Sequence, residues 1–294
     1  MPHQLNWQEI CQMIPKRKAD AQKGDFGRLL CITGSRNMPG ACLLSTQAAL
    51  RGGAGLVTVA TAPENPMRLA AAAPEAMWLP LETDEAGFLR SSDQNRKTLE
   101  KQLSRANAVL LGCGLGVTEE TRRLVHWVLE QAVCPVVLDA DGLNCAVSCI
   151  ELSRRTGKDW ILTPHPGEMA RLTGHSIPQI QENRVETATQ FAAAYPVTLA
   201  LKGAGTLVAQ GSRLAQNPTG NPGMSRGGSG DVLAGLIAAF AAQGIPSWEA
   251  ACAGVYLHGL AGDAAAAALS QQAMLPRDLL VYLPQVLVKL EQER

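Results

Sequence analysis

The sequence lacks the features that mark a secreted, membrane-spanning or nucleic-acid-binding protein. No stretch approaches the roughly 20 apolar residues that a membrane helix needs, and residues 1–20 are polar, without the apolar core of a signal peptide. Lysine and arginine form no cluster, the formal net charge is +0, and no acidic tail is present. We therefore expect a cytoplasmic protein that has neither a membrane nor a nucleic acid among its partners.

Cysteine pairs at redox or metal-binding spacing are also missing. The eight cysteines are scattered, none forms a Cys-x-x-Cys pair, and most lie in apolar runs such as Leu30-Cys31-Ile32. This usage predicts reduced core thiols rather than a disulfide framework. The chain has 294 residues, 46% of them hydrophobic, and contains no linker, repeat or low-complexity segment. We therefore predict a single well-packed domain over residues 1–294.

The sequence does contain a regular alternation of short apolar runs and helical patterns. Predicted strands are 29–33, 56–60, 108–111, 136–139, 160–163, 198–202 and 206–209. Predicted helices are 41–51, 66–73, 119–131, 177–194, 231–243, 248–269 and 277–293. Because most runs are continuously apolar, the alternation predicts an α/β fold with a mainly parallel central sheet and helices on both faces. The alanine-rich, weakly charged segment 250–269 also suits packing against another subunit, so we expect a homo-oligomer.

The most informative segment is glycine-rich and runs from Asn221 to Asp231. An apolar stripe at helical spacing follows it, formed by Val232, Leu233, Leu236, Ile237 and Phe240. Glycines at a helix N-terminus let backbone N–H groups approach an anion, which the helix dipole also favours. The Asp231 carboxylate can accept a proton from a substrate hydroxyl there while the N–H groups hold a transferring phosphate. A helix cap is the alternative role for Asp231. Catalysis is favoured by the flanking Asn221, Gly223, Gly227 and Gly228.

Two other glycine-rich segments match known nucleotide-binding loops less well. Residues 34–40 are followed by Ala41 and Cys42 rather than by the Lys and Ser/Thr of a P-loop. Residues 112–116 follow a predicted strand and resemble a dinucleotide fingerprint only loosely, because the glycine spacing differs. A tight structural turn and a ligand contact are equally compatible with residues 112–116.

Polar clusters follow three further predicted strands, at the sheet edge where α/β proteins bind ligands. His165 lies between two prolines that restrict the backbone, and it suits either a ligand contact or a bond within its own turn. Asp139 and Asp141 suit Mg²⁺ through water, a ribose, or the cap of the next helix. Residues 202–206 suit a plain turn or a clasp around a nucleotide phosphate or ribose. No His, Cys or Asp group has metal-ligand spacing, so no protein-ligated metal is predicted.

These clusters occur together and in one order along the chain. The set comprises Phe26-Gly-Arg-Leu-Leu, Thr33-Gly-Ser, Ala48-Ala-Leu-Arg-Gly-Gly-Ala-Gly-Leu-Val57, Gly112-Cys-Gly-Leu-Gly, Asp139-Ala-Asp-Gly-Leu-Asn, Thr163-Pro-His-Pro-Gly-Glu, Lys202-Gly-Ala-Gly-Thr, Gly220-Asn-Pro-Gly-Met and Gly227-Gly-Ser-Gly-Asp-Val-Leu. It resembles the ADP-dependent NAD(P)H-hydrate dehydratases, which have a ribokinase-like fold. The resemblance covers about residues 15–265, and its Thr-Pro-His-Pro-Gly-Glu and Asn-Pro-Gly-Met elements are far more specific than Gly-Asp.

The resemblance implies a repair enzyme for damaged nicotinamide coenzymes. The family dehydrates the S epimer of hydrated NADH or NADPH (NADHX or NADPHX) to the working coenzyme and converts ADP to AMP and phosphate. Phosphorylation turns the ring hydroxyl into a good leaving group, which the ring nitrogen helps to expel. Mg²⁺ neutralises nucleotide charge in the family. A separate epimerase supplies the S epimer, and we expect that epimerase to be another polypeptide.

Site residues follow from the same resemblance. Asp231 takes the hydroxyl proton, and the backbone of residues 227–230 stabilises the phosphoryl group. Hydrate-coenzyme contacts are implied for Ala41, Gly114, His165 and Asp231. AMP-side contacts are implied for Lys202, Gly203, Ala204, Gly205, Thr206 and Gly230. The chain departs from the family pattern at Cys113, where proline is usual, at Gln22, where histidine is common, and at Ser225-Arg226, where a small pair is usual. These changes bear on fine specificity rather than on the reaction class.

Two alternative functions are compatible with part of this pattern. A ribokinase-like kinase of a small hydroxylated metabolite would share the Gly-Gly-Ser-Gly-Asp segment but has no reason to carry residues 163–168. A nucleotide-binding regulator without catalysis would not need Asp231 and the complete glycine turn. A stable phosphorylated product would favour the kinase, and ADP binding without turnover would favour the regulator.

Overall fold

A single ten-stranded sheet runs through the molecule. The computed structural model describes residues 2–293, apart from the side chains of residues 155 and 156. The strands are β1 (His3–Gln4), β2 (Arg28–Ile32), β3 (Leu56–Thr61), β4 (Met77–Pro80), β5 (Ala108–Leu111), β6 (Val136–Leu138), β7 (Trp160–Leu162), β8 (Val197–Leu201), β9 (Leu207–Gln210) and β10 (Arg213–Gln216). Their order is β1-β10-β9-β8-β7-β6-β5-β2-β3-β4. All neighbours pair in parallel except β8 with β9 and β9 with β10, which are antiparallel.

Helices cover both faces of the sheet, as the sequence predicts. They are α1 (Trp7–Met13), α2 (Pro39–Arg51), α3 (Asn65–Leu69), α4 (Asp93–Leu103), α5 (Glu119–Gln131), α6 (Asp141–Ala146), α7 (Leu152–Thr156), α8 (Pro166–Thr173), α9 (Ile177–Glu182), α10 (Arg184–Ala194), α11 (Ser229–Ala242), α12 (Ser247–Leu269) and α13 (Pro276–Glu293). None of the helices in the described chain combines the length and the hydropathy that a bilayer-spanning helix needs.

The sheet separates the two larger clusters of the hydrophobic core in the described chain, and a third, small cluster of Ala48, Val232, Leu279 and Leu280 joins α2, α11 and α13. Successive strand residues point to opposite faces, so Leu110 belongs to the cluster that includes residues of α2, α11 and α12, whereas its neighbour Leu111 belongs to the cluster that includes residues of α5, α6 and α10. Because both faces are covered, the central strands are buried along their whole length. The continuous apolar runs in the sequence have this physical cause.

Three predicted helices differ from the structure in an informative way. The predicted helix 177–194 is two helices, α9 and α10, because the chain leaves helical geometry at Asn183 (φ −123°). The predicted helix 66–73 is the short α3. Residues 232–242 of α11 are all buried, so this helix is apolar all round and not only along the predicted stripe.

The alanine-rich helix α12 lies mostly inside the chain. Residues 250–259 of α12 are buried against α1, α11, α13 and the sheet, and only its last turn, around Leu269, is exposed. The low charge and small side chains of this segment are therefore explained by packing within the chain. We expected this segment to pack against another subunit, but its buried residues pack within the chain. The homo-oligomer therefore stays a prediction, and α12 no longer supports it.

Candidate active site

A large cavity opens at the carboxyl ends of the central strands. Its volume is about 730 Å³, and its walls are the N-terminus of α11, the turn between β8 and β9, and the segment that follows β10. The residues after β6, β7 and β8 reach its floor with Asp139, His165, Glu168 and Lys202. Polar side chains that are far apart in the sequence thus meet at the edge where parallel sheets bind ligands.

The N-terminus of α11 presents free backbone donors to this cavity. Gly228 stands at the N-cap with φ 106°, a left-handed conformation that favours glycine. Within the described part of the chain, the N–H groups of Gly227, Gly228, Gly230 and Asp231 have no hydrogen-bond acceptor. All four residues line the cavity. Free N–H groups at the positive end of a helix dipole form a binding site for a phosphate.

Asp231 lies in the first turn of α11, beside these donors. Its side chain makes no capping hydrogen bond, so the capping alternative is wrong. Burial, and then the nearby charge of Asp139, raise the pKa of Asp231 to about 7, although Cys113 and Lys202 act in the opposite direction. Among the described residues Asp231 has no ion-pair partner. A carboxylate with these properties can take up a proton near neutral pH, as a general base must.

Lys202 and Asp139 form a buried ion pair on the cavity floor. Lys202 Nζ lies 2.7 Å from Asp139 Oδ1 and 3.7 Å from Glu168 Oε2. Burial opposes the ammonium charge, but the carboxylates of Asp139 and Glu168 outweigh it and raise the pKa of Lys202. The ammonium also lies against the anion site, since a Cβ added at Gly230 would be 3.2 Å from Nζ. Lys202 therefore holds positive charge beside the free N–H groups.

His165 is the N-cap of α8. Its Nδ1 accepts hydrogen bonds from the N–H groups of Gly167 (2.9 Å) and Glu168 (3.3 Å), and its Nε2 lies 3.3 Å from Glu168 Oε1. Burial, followed by the charge of Lys202, lowers the pKa of His165, which favours a neutral imidazole whose Nδ1 lone pair accepts these two bonds. The bond within its own turn is thus present, and the imidazole also lines the cavity. Its contact with substrate stays a prediction.

Ala41, in α2, and Gly114, which follows Cys113 in the chain, pack against each other. A Cβ at Gly114 would lie 2.9 Å from Ala41 Cβ, and the φ of Gly114 is +66°, so glycine is required there for space and for conformation. Ala41 and Gly114 are not among the residues that line the large cavity, whereas His165 and Asp231 are. The four residues implied for the hydrate coenzyme are therefore not brought together in one cavity: His165 and Asp231 line it, whereas Ala41 and Gly114 lie outside its lining.

The turn at residues 112–116 is tied to the neighbouring loop and helix. Gly34 N–H donates to Cys113 O (2.8 Å), and Gly116 N–H donates to Asp141 Oδ2 (2.7 Å). Asp141 makes no capping bond at the start of α6. The structural role of the 112–116 turn is thus visible, and Asp141 supports it.

The turn between β8 and β9 holds the residues implied for AMP. Lys202, Gly203, Ala204, Gly205 and Thr206 all line the cavity, as does Gly230. The sequence analysis missed Arg184, whose half-buried guanidinium donates to Ala204 O (2.6 Å), Leu201 O (3.1 Å), and Lys202 O and Gly205 O (3.4 Å each). These acceptors are backbone carbonyls of a distant segment. No side-chain motif in the sequence could have identified them.

The donors next to Asp231 do not suit Mg²⁺ held by protein alone. One ligand atom from each of Cys113, Asp139 and Asp231 lies within 4.8 Å of the others. Mg²⁺ prefers oxygen ligands, but burial and the charges of Asp231 and Asp139 raise the pKa of Cys113 and keep it a thiol. Asp139 Oδ1 already accepts from Lys202 and Thr163. Asp139 and Asp231 can therefore coordinate Mg²⁺ only if a bound ligand supplies further oxygen atoms.

Known proteins share the sequence around this site. The profile of the NAD(P)H-hydrate dehydratase family matches residues 29–285. The chain belongs to the NAD(P)H-hydrate dehydratase family. The ADP-dependent (S)-NAD(P)H-hydrate dehydratase of Neisseria meningitidis is 38% identical over 252 residues, which are 84% of this chain and 80% of that relative. The two elements singled out in the sequence, residues 163–168 and 220–224, both contribute residues that line the cavity.

The family includes longer proteins and solved structures. The Bifunctional NAD(P)H-hydrate repair enzyme Nnr of Moorella thermoacetica is 43% identical over 281 residues, 95% of this chain but 53% of its own length. The chain spans about half the length of the first curated relatives it matches. The ADP/ATP-dependent NAD(P)H-hydrate dehydratase of Bacillus subtilis, co-crystallised with ATP/Mg²⁺, has a TM-score of 0.82 and 31% identity, with 99% of each chain covered.

The fold is ribokinase-like, as the resemblance implied. A ribokinase-like superfamily protein from Enterococcus faecalis has a TM-score of 0.84 and 30% identity, covering 99% of this chain and 96% of its own. The mainly parallel sheet with helices on both faces agrees with this assignment.

Proposed function

We propose that the protein dehydrates the S epimer of NADHX and NADPHX to NADH and NADPH, with ADP converted to AMP and phosphate. The observation that carries the proposal is Asp231: a carboxylate without an ion pair, with a pKa of about 7, beside four free N–H groups. General-base chemistry and phosphate binding thus meet at one point. The activity in the name of the Neisseria meningitidis relative supports the same reaction.

The chemistry proceeds in two steps in this proposal. The oxygen of the ring hydroxyl attacks the terminal phosphorus of ADP while Asp231 accepts the proton of that hydroxyl. A new P–O bond forms, and the bond between the terminal phosphorus and the bridging oxygen breaks and releases AMP. The N–H groups of residues 227, 228 and 230 hold the phosphoryl oxygens, and positioning with electrostatics supplies most of the rate. The ring nitrogen then donates its electron pair, the carbon–oxygen bond breaks, and phosphate leaves. Loss of a proton from the neighbouring ring carbon restores the reduced coenzyme.

The nucleotide occupies the large cavity in this proposal. The turn at residues 202–206 and the Lys202 ammonium face the AMP part, and Gly230 lies at the transferring phosphate. Ala41, Gly114 and His165 contact the hydrate coenzyme. Mg²⁺ arrives with the nucleotide phosphates, because the protein donors alone do not suit it. We take ADP as the donor because the Neisseria meningitidis relative is named as ADP-dependent. We test ATP as well, because the Bacillus subtilis relative is named for both nucleotides.

Cellular context belongs to the same proposal. Eight free thiols among the described residues fit a reducing, cytoplasmic location. An epimerase on a separate polypeptide and a homo-oligomer stay predictions from the sequence.

Product analysis separates this reaction from a small-molecule kinase. The dehydratase yields one AMP, one phosphate and one reduced coenzyme for each hydrate consumed, and no phosphorylated metabolite accumulates. A kinase would leave a stable phosphorylated product and no reduced coenzyme. Simultaneous measurement of AMP, phosphate and reduced coenzyme therefore tests the proposal, and unequal yields of phosphate and reduced coenzyme would contradict it.

A further inference from the structure

One ammonium group lies among the acidic residues at the end of the sheet. Asp231 is faced by Asp139 after β6, by Asp141 in α6, by Cys113 after β5, by Lys202 after β8 and, from α2, by Cys42. Two of these acids, Asp139 and Asp231, have ligand atoms within 4.8 Å of each other. Lys202 Nζ and Asp139 Oδ2 both lie against Gly230, the residue that precedes Asp231, at 3.2 and 3.8 Å from a Cβ added there. The ammonium is therefore near both carboxylates.

The structure pairs this ammonium with Asp139 and not with Asp231. Lys202 Nζ donates to Asp139 Oδ1 at 2.7 Å. The Asp139 carboxylate is fixed from other sides as well, because Oδ1 accepts from Thr163 Oγ1 (2.7 Å) and Oδ2 from Cys113 Sγ (3.8 Å). Asp139 is 1% exposed, so water does not compete for its oxygens. A carboxylate held in this way keeps the Lys202 side chain in one position.

Pairing with Lys202 would make Asp231 a poorer proton acceptor. An adjacent ammonium stabilises the charged form of a carboxylate and reduces its affinity for a proton. We propose that Asp139 is a positioning residue for the reaction: it retains the Lys202 ammonium and so leaves the Asp231 carboxylate unpaired and available for the substrate hydroxyl. This inference rests on the proposed role of Asp231 as the base. It assigns to Asp139 a task that involves no contact with substrate.

The titration of Asp231 in the ligand-free enzyme tests this inference without any turnover. Aspartate carboxyl groups labelled with ¹³C are followed by NMR as the pH is varied, and the Asp231 signal is assigned by its loss in Asp231→Asn. In Asp139→Asn we expect the Asp231 midpoint to fall by about one to three pH units, because the like charge of Asp139 is lost and Lys202 is released to pair with Asp231. Lys202→Met alone measures how far the ammonium already lowers the Asp231 midpoint while it is paired with Asp139. In Asp139→Asn/Lys202→Met no ammonium remains to be captured, so the removal of Lys202 should raise the midpoint more in the Asp139→Asn background than in the unchanged protein.

Glu168→Gln is the matched control. It removes the other carboxylate near Lys202, at 3.7 Å, but leaves the pair with Asp139, so the Asp231 midpoint should stay close to that of the unchanged protein. Asp139→Ser gives the same comparison if Asp139→Asn does not fold. An unchanged midpoint in the folded Asp139 variant would overturn the inference. An equal effect of Lys202→Met on the Asp231 midpoint with and without Asp139 would also overturn it, since the separate charges of Asp139 and Lys202 would then explain the midpoints.

Activity adds an independent readout. With NADHX and ADP, the acid limb of the kcat–pH profile in Asp139→Asn should shift to lower pH together with the NMR midpoint, and kcat at neutral pH should fall. If the unchanged protein does not turn over NADHX, the proposed function fails while the NMR comparison still decides the Lys202 pairing. An NMR shift without a shift in the kcat–pH profile would overturn the role of Asp139 in the reaction.

Discussion

The imidazole of His258 donates a hydrogen bond from Nε2 to the carbonyl oxygen of Ser229, across 3.0 Å. Ser229 is the first residue of α11, two residues before Asp231, and His258 lies on α12. Burial lowers the pKa of His258 from its ordinary 6.5 to about 4. A neutral, buried histidine thus fixes the start of the helix that carries the base.

The burial of the His258 imidazole predicts a pH-dependent stability, because burial lowers its pKa even though the bond to Ser229 acts in the opposite direction. Between about pH 4 and pH 6.5 the unfolded chain binds a proton at His258 that the folded chain does not. The contribution of His258 to the free energy of unfolding therefore rises with pH through this window and falls on acidification, by on the order of 3 kcal/mol across it. Asp231, whose pKa is raised from 3.8 to about 7, contributes in the opposite direction, so His258 is measured by comparison with a variant. His258→Gln should reduce this dependence. Urea unfolding of both proteins at several pH values between 4 and 7 measures it, and parallel curves would exclude His258 as the cause.

Asp231→Asn should abolish turnover while ADP still binds, because loss of the proton acceptor costs several orders of magnitude in rate. The same change should stabilise the fold above pH 7. A carboxyl group whose pKa is raised from 3.8 to about 7 favours folding only while it is protonated, so its burial costs stability above that window. Because the side chain also faces the cavity, we expect a gain of about 2 kcal/mol.

Three measurements check Asp231→Asn: kcat with NADHX, ADP affinity by calorimetry, and unfolding at pH 5 and pH 8. Near-normal kcat would remove Asp231 from catalysis. A variant less stable than the unchanged protein at pH 8 would contradict the buried-charge explanation.

His165→Ala should raise the KM for the hydrate more than the KM for ADP. His165 also caps α8, and loss of such a cap costs about 1 kcal/mol. His165→Asn is the matched control, because asparagine is a good N-cap residue but lacks the imidazole. Steady-state kinetics should show the hydrate defect in both variants, while the melting temperature falls mainly in His165→Ala. Equal changes in both KM values would exclude a specific contact with the hydrate.

Arg184→Met should weaken ADP binding, because the guanidinium fixes the carbonyl groups of the turn at residues 202–206. Loss of a charged donor to several carbonyls costs about 2 kcal/mol, so we expect an increase of about tenfold or more in the Kd for ADP. Arg154→Met is the control, since Arg154 donates to the carbonyl of Ala194 and does not line the cavity. Calorimetric titration compares the two, and a similar Kd for both would contradict this role of Arg184.

Sequence reasoning located many of the elements that carry local signals, but it missed α4, although Ser92 caps the start of that helix. The strand 108–111 and the helix 119–131 are predicted to the residue, because a continuous apolar run defines β5 and Thr118 provides a capping box for α5. The strand β4 was missed, since Met77–Pro80 is only half-buried at the sheet edge and contains a proline. The short helices α6 and α8 were missed because their periodicity spans fewer than nine residues.

The candidate site shows the same division. Asp231, His165 and Lys202 were identified from motifs, and the carboxyl-end rule for parallel strands brought them together correctly. The partner of Lys202 was not identified, because Asp139 is 63 residues away and only the neighbouring strands β6, β7 and β8 bring the two side chains together. The pairing of distant charges depends on the register of the sheet, which a single sequence does not specify.

The most direct test of the central claim mixes the protein with NADHX enriched in the S epimer, Mg²⁺ and either ADP or ATP. The near-ultraviolet absorbance of the reduced nicotinamide ring is followed over time. Our account predicts a rise with ADP that matches the AMP formed and is absent in Asp231→Asn. A rise with ATP alone would keep the reaction and correct the donor. With folded protein and verified substrate, no rise with either nucleotide would contradict the account.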